Sequence, residues 1–479
     1  MSAIAGEHCR EIYVGGHWRR SDADGEIEVR NPATEEVIGY VPAGGARDVD
    51  LAVGAATKAF AAWSETSREE RLRLLASILD EYNRSAEELA QAVTAEMGSP
   101  ITLSRTNQVP KGADQLRDVA RALRDYPFEV DDGTTRILRE PIGVCGLITP
   151  WNWPLHQVLC KVAPALAAGC TMVLKPSEMS PFSANLLTEI MERAGMPPGV
   201  FNVVHGRGLE SGSALAAHAG VDLVSFTGST RAGIDVAQKA AATVKRVCQE
   251  LGGKSPNVIL DDADLEQAVR VGVAACYVNG GQTCSAMTRM LVPAPLHERA
   301  AEIAAAAAGK FVVGDPLDPA TEIGPLASQA QFSRVQQLIA EGVAEGAELR
   351  TGGPERPDGL EFGWFVRPTV FSGVHNSMKI ARTEIFGPVL TIIPYETEQE
   401  AIEIANDTDY GLAAMVWGES DRARSVARRL RAGHVRLNGA ANRTDMPFGG
   451  YKQSGNGREQ GVFGLEEYLE VKAVLGFSG

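Results

Sequence analysis

Apolar positions change their spacing several times along the chain, and each change marks a different kind of element. From residue 11 to 44, short alternating runs are broken by Gly, Asn-Pro and Asp, the pattern of small antiparallel strands. Val49, Val53, Ala56, Phe60 and Trp63 then recur at helical spacing, and Leu72, Leu75, Leu79, Tyr82, Ala86, Leu89 and Val93 continue the rhythm. Ser67 with Glu70 and Ser85 with Glu88 both fit capping boxes, so the second stretch reads as two consecutive helices rather than one rod.

From about residue 142 the texture changes. The short apolar runs IGVCGLITP, TMVLKP, VFNVVHG, VDLVSFTG and NVILDD alternate with helical stretches and show no polar face. That is the mark of a parallel sheet covered on both sides, and such sheets bind ligands beyond the carboxyl ends of their strands. Asn152, Lys175, Glu178 and Ser229 each follow one of these runs. A second αβ block spans about 257 to 435, with a helical ERAAEIAAAAAGKF, a Gly/Pro-rich linker at 351 to 368 and a strand-like PVLTIIPY. The closing EEYLEVKAVLGF reads as a strand that pairs outside its own domain.

A length of 479 residues suggests two to four domains at roughly 150 residues each. The net charge of −15 argues against a nucleic-acid partner. No apolar run approaches the roughly 20 residues of a membrane span, and the first residues lack the pattern of a secretion signal. A cytoplasmic protein with no membrane partner is therefore expected. Seven cysteines without a C-x-x-C pair or zinc-type spacing argue against a disulfide scaffold and against a metal site.

Several short stretches offer chemistry. NGGQTCSAM sets Cys284 among glycines and small polar residues, either as a nucleophile or as a small buried side chain. TPWNWPL brackets Asn152 with prolines and presents an amide suited to an oxyanion. LKPSE puts Lys175 and Glu178 at a strand end, where a carboxylate can hold an adenosine ribose. FTGSTRAG places Gly228, Ser229 and Gly233 between a strand and a helix, a phosphate-binding context without the full G-x-G-x-x-G. CQELGGKSPNV offers Glu250 as a general base whose burial would raise its pKa, and EIFGPVL puts Glu384 and Phe386 on one side of an extended segment. Each has a plain alternative: a tight turn, a surface ion pair, a packing corner, a helix end. Alone, none decides.

Together and in this order, NPATEEVIGYVP, TPWNWP, LKPSE, FTGST, ELGGKSP, GQTC, IGPL, EIFGPVL and PFGGYKQSG resemble signatures of the aldehyde dehydrogenase superfamily, in its hydrolytic, NAD(P)-dependent branch. The resemblance spans nearly the whole chain. It implies an α/β fold with a discontinuous Rossmann-like, parallel-sheet cofactor domain (1–122 and 142–252), an αβ catalytic domain (253–453) and a small β oligomerisation arm with the tail (123–141 and 454–479). It implies Cys284 as nucleophile, Glu250 as the base that activates the deacylating water, and Asn152 as oxyanion donor, with Lys161 and Glu459 on a proton path to solvent. Ile148, Thr149, Pro150, Trp151, Lys175, Ser177, Glu178, Gly208, Phe226, Thr227, Gly228, Ser229, Leu251, Gly252, Glu384 and Phe386 would hold the cofactor.

On this pattern an aldehyde is oxidised to the acid through a cysteine thiohemiacetal and a thioester. Glu250 favours water over coenzyme A as acyl acceptor. Glu178 favours NAD over NADP, because its charge repels a 2′-phosphate. A helix starting at SAMTR would lower the thiol pKa. Trp153, His156, Gln157, Cys160, Thr283 and Ser285, with the GAANRTDM loop between Asn438 and Pro447, suggest a polar tunnel and a polar or semialdehyde substrate. A homodimer or homotetramer is expected. The alternative is a non-redox esterase, thioesterase-like or ligand-binding protein on the same fold.

Overall fold

The computed structural model describes residues 6–477. The runs after residue 142 form parallel strands Val144–Ile148, Thr171–Lys175, Phe201–Val203, Leu223–Thr227 and Arg246–Glu250. Chain order and sheet order differ. Val144–Ile148 lies in the middle, with Thr171–Lys175 and then Phe201–Val203 on one side and Leu223–Thr227 and then Arg246–Glu250 on the other. The direction of winding therefore reverses between Val144–Ile148 and Leu223–Thr227, and a crevice opens at such a switch point. The loops that leave these two strands are TPWN and FTGST.

Ile12–Val14 and His17–Arg19 extend the sheet as an antiparallel hairpin, and Gly455–Asn456 closes its other edge against Arg246–Glu250. Every residue of the three strands Val144–Ile148, Thr171–Lys175 and Leu223–Thr227 is buried, which is why they lack a polar face. Glu26–Arg30 and Val37–Pro42 form a separate antiparallel pair, as the early alternation predicts.

NVILDD does not join this sheet. Its strand, Pro256–Ile259, opens a second one of seven strands with Arg289–Pro293, Val389–Tyr395, Thr369–Ser372, Ala413–Trp417 and His434–Leu437 in parallel and Glu348–Thr351 antiparallel at the edge. The helices follow the periodicity: Ala46–Ser64, Arg68–Arg84, Ala86–Met97 and His297–Ala308. The Ser67 hydroxyl accepts from the Glu70 N–H and the Glu70 carboxylate accepts from the Ser67 N–H, a complete capping box. Ser85 also starts a helix but does not cap it with its side chain. Its hydroxyl accepts from Arg193 instead, so a tertiary contact has displaced the local one.

Leu469–Val474 pairs antiparallel with Thr135–Pro141, which also pairs with Glu129–Asp132. Earlier in the tail, Leu465 and Tyr468 sink into the same core as Leu123, Leu159 and Leu166. Among the described residues no helix is long and apolar enough to cross a membrane, no His/Cys/Asp/Glu group could hold a metal ion, and the seven cysteines are free.

Candidate active site

The helix Leu265–Tyr277 runs into a tight turn, where Asn279, Gly280 and Gly281 all have left-handed φ of 58°, 63° and 73°. At Gly281 this conformation coincides with a close approach: a Cβ would collide with the Gly387 carbonyl. Asn279 is held in place by its amide, which donates to the carbonyls of Asn152 (2.8 Å) and Gln282 (3.3 Å). The Asn152 amide in turn donates to the Gln282 carbonyl at 3.0 Å, and the Trp153 indole N–H donates to the Thr283 hydroxyl at 3.1 Å. TPWN and QTC are thereby laced together, which brings Asn152 to the turn that carries Cys284.

The helix expected at SAMTR is absent. Thr283 to Ala286 closes a turn, the Ala286 N–H donating to the Thr283 carbonyl at 3.0 Å, and the chain then enters the buried strand Arg289–Pro293. The apolar run MLV is claimed by the second sheet before a helix can start. With no helix N-terminus beside it, the Cys284 thiol is pushed up to about 12 by burial and by the charges of Glu384, Glu250 and Glu459, against the Ser285 N–H.

Glu250 ends a strand of the first sheet rather than a helix and is only 4% exposed. Neither of its carboxylate oxygens has a protein partner. Burial, then the charge of Glu459, holds its carboxyl well above the ordinary range, with Lys161 and Arg458 opposing. A Cβ at Gly449 would come within 2.6 Å of Glu250 Oε1, so that glycine keeps the carboxylate's surroundings open. The structure also brings Lys161 and Glu459 together. The buried Lys161 ammonium donates to Glu459 and to the Ser225 hydroxyl (3.0 Å), and the Cys160 thiol donates to the other Glu459 oxygen at 3.2 Å.

Pro150, Trp151, Thr227, Gly228, Ser229, Leu251, Gly252, Glu384 and Phe386 line one cleft of about 190 Å³, which also reaches Asn152 and Cys284. Its residues fit a dinucleotide. The Thr227 hydroxyl is buried without a protein partner, and at Gly252 a Cβ would run into the Glu384 carboxylate. Lys175 is buried with its ammonium 3.0 Å from Glu178. Burial tends to raise the Glu178 carboxyl, but the Lys175 charge and the backbone N–H groups of Glu178 and Gly208 hold it below its usual range. Thr149 and Ser177 are buried nearby, and the Thr149 N–H donates to the Lys175 carbonyl. Ile148 and Phe226 point into the apolar core. The Ser229 hydroxyl accepts from the Ala232 N–H at 3.3 Å as the cap of the helix Thr230–Ala240.

Glu384 and Phe386 do not share a side of an extended segment, because Phe386 is left-handed at φ 62°. The Glu384 carboxylate accepts from the Gly253 N–H at 2.9 Å and is raised to about 7 by burial. The Phe386 ring meets Trp151 edge-on at 5.5 Å. The loop is pinned by two residues that no sequence signal marks, Gln331 and Arg334. They donate to the carbonyls of Ile385, Phe386 and Glu384 and also line the cleft, as does Gln157. Arg443, from the GAANRTDM loop, is exposed and paired with Asp445.

Residues 18–474 match the model of the aldehyde dehydrogenase family. The chain belongs to that family. It is 57% identical over 472 residues to a 3-succinoylsemialdehyde-pyridine dehydrogenase of a Pseudomonas species, covering 98% of this chain and 99% of the relative. Among solved structures it resembles a cysteine-to-alanine mutant of aldehyde dehydrogenase C from Pseudomonas syringae, crystallised with NAD+ and octanal. The TM-score is 0.98 at 55% identity, over 99% of this chain and 98% of that one. Betaine aldehyde dehydrogenase from Staphylococcus aureus, in complex with NAD+, matches with a TM-score of 0.95 at 36% identity, over 100% and 96% of the two chains. The fold is that of the aldehyde dehydrogenases, and the enzyme is an NAD(P)-dependent aldehyde dehydrogenase.

Proposed function

We propose that this aldehyde dehydrogenase oxidises a functionalised aldehyde of the semialdehyde kind to its carboxylic acid, with Cys284 as the covalent nucleophile and NAD as cofactor. The observation that carries this reading is the convergence of Asn152, Cys284 and Glu384 on one cleft, with the carboxylate of Glu250 buried, unpartnered and electrostatically felt by the thiol.

Cys284 attacks the aldehyde carbon as the thiolate. The Asn152 amide and the Cys284 backbone N–H receive the oxyanion, a kind of contact whose loss costs about 3 to 4 kcal/mol. NAD held along the cleft would supply the hydride acceptor for the oxidation to the acyl-enzyme. Glu250 then takes a proton from water as the water attacks the acyl carbon, and burial raises its pKa and so strengthens it as a base. The Lys161–Glu459 pair offers the proton a route onward from Glu250. Lys175 and Glu178 hold the adenosine ribose, with the negative Glu178 turning away a 2′-phosphate; Ser229 faces a phosphate, and Glu384 with Phe386 faces the nicotinamide end.

The cofactor part (1–122 and 142–252), the catalytic part (253–453) and the arm with the tail (123–141 and 454–479) are the working units of this reading. A homodimer or homotetramer is supported by the exposed arm. Seven free thiols suit a reducing, cytoplasmic setting.

The semialdehyde name of the 57%-identical relative supports the substrate class. Octanal in the complex of the 55%-identical relative supports a second reading, a long alkanal. A panel of semialdehydes and alkanals, followed by NADH formation, separates the two. We expect higher kcat/KM for a semialdehyde, higher turnover with NAD than NADP at limiting cofactor, and no NADH from Cys284→Ala. Undiminished NADH from that variant would overturn the nucleophile.

A further inference from the structure

The helix Val109–Asp125 reaches the site through Gln108 just before it, whose amide donates to the Asn152 carbonyl at 3.2 Å. Residues three and seven positions on from a helical residue share its face, so Lys111 and Gln115 lie on this same side. Lys111 holds its ammonium 3.9 Å from the centre of the Trp153 ring, the residue whose indole is bonded to Thr283 beside the nucleophile.

This lysine is half-buried, and among the described residues it has no ion-pair partner. Asp114, the acid on its own helix, is bound to Arg117 at 2.7 Å. The Trp153 ring face attracts the cation, but it offers no lone pair to the three ammonium N–H groups. Lys111 and Cys284 feel each other's charge, which places the cation on the nucleophile's side of the helix. A half-buried cation with no counter-ion beside the nucleophile's loop suits a ligand that carries an acceptor. An alkyl chain would offer the ammonium none. Arg443 cannot serve instead, since it is exposed and neutralised by Asp445.

We propose that Lys111 recognises the far end of the aldehyde, and that this end carries an oxygen acceptor, an ionised carboxylate best of all. The proposal rests on the aldehyde oxidation described above and names its substrate class. The ammonium donates to a carboxylate oxygen. His156, whose imidazole burial and the Lys111 charge hold down to about 4, is neutral and does not compete for the anion.

The test is the ratio of kcat/KM for ω-carboxy aldehydes over alkanals of matched length, measured in the wild type and in Lys111→Met. Both substrates are read on the same variant, so a folding defect lowers both and leaves the ratio unchanged. The loss of one charge-assisted hydrogen bond predicts a ratio that favours the acid in the wild type and falls about 10- to 100-fold in the variant. A wild type that prefers the alkanal, or a ratio that Lys111→Met leaves alone, overturns the proposal. Calorimetric titration with glutarate tests the same contact without turnover: binding by the wild type that Lys111→Met abolishes supports it, and equal or absent binding by both sinks it. If no aldehyde yields NADH while glutarate binding still depends on Lys111, the oxidation reading fails and the recognition site stands.

Discussion

Glu250 shows how burial turns an ordinary residue into a catalyst. A carboxylate works as a base only when deprotonated, and this one is held above its ordinary range by burial and by Glu459. Activity in the deacylation step is therefore full at high pH and is lost as pH falls through that raised value. The acid limb of the kcat profile is expected above the usual carboxylate range near 4.3. In Glu250→Gln the first turnover should proceed and the second stall, giving a burst of NADH and a steady state slower by about 10²- to 10⁴-fold. Stopped-flow absorbance reads both phases, and a variant with an unchanged steady state would exclude the role. Cys284, Asn152, Glu250 and Glu384 were legible as candidates because each is a reactive type set among glycines or prolines. Lys111 was not: a single lysine on an amphipathic helix has the pattern of a solvated face, and only the packing of that helix on TPWN places it over Trp153.

Elements were read well where their signal was local and poorly where a neighbouring element claimed the residues. The capping box at Ser67 formed, because its partners are three residues apart and nothing competes. SAMTR made no helix, because the adjoining strand Arg289–Pro293 is hydrogen-bonded into the second sheet on both sides. The glycines before Cys284 are explained at this scale too. Gly281 combines a φ of 73° with the passing EIFGP loop, so Gly281→Ala must strain the backbone and displace Gly387. A destabilisation of about 1–3 kcal/mol is expected from the backbone alone, read as a lower urea midpoint, together with weaker NAD binding as Glu384 and Phe386 shift. An unchanged midpoint would show that the loop yields freely.

At the scale of the whole molecule, the arm stands out by its exposure. Val471 in the tail strand and Leu475 just after it are 67% and 80% exposed, and a strand edge with apolar side chains is a template for pairing. Light scattering at micromolar concentration should give a dimer or tetramer, and Val471→Glu should shift it toward smaller species. A monomeric wild type would count against the arm's role. The sequence by itself determined the family, the alternation of strands and helices and the reactive residue types, because each is written in local spacing and in short motifs. Tertiary structure alone decided that winding reverses between Val144–Ile148 and Leu223–Thr227, so that TPWN and FTGST flank one crevice. It also decided that Gln331 and Arg334 pin the EIFGP loop, that Arg443 is spent on Asp445, and that Lys111 lies over the Trp153 ring. The physical reason is common to all of these: burial, pairing and pKa are properties of neighbours distant in the chain, and no local pattern records who those neighbours are.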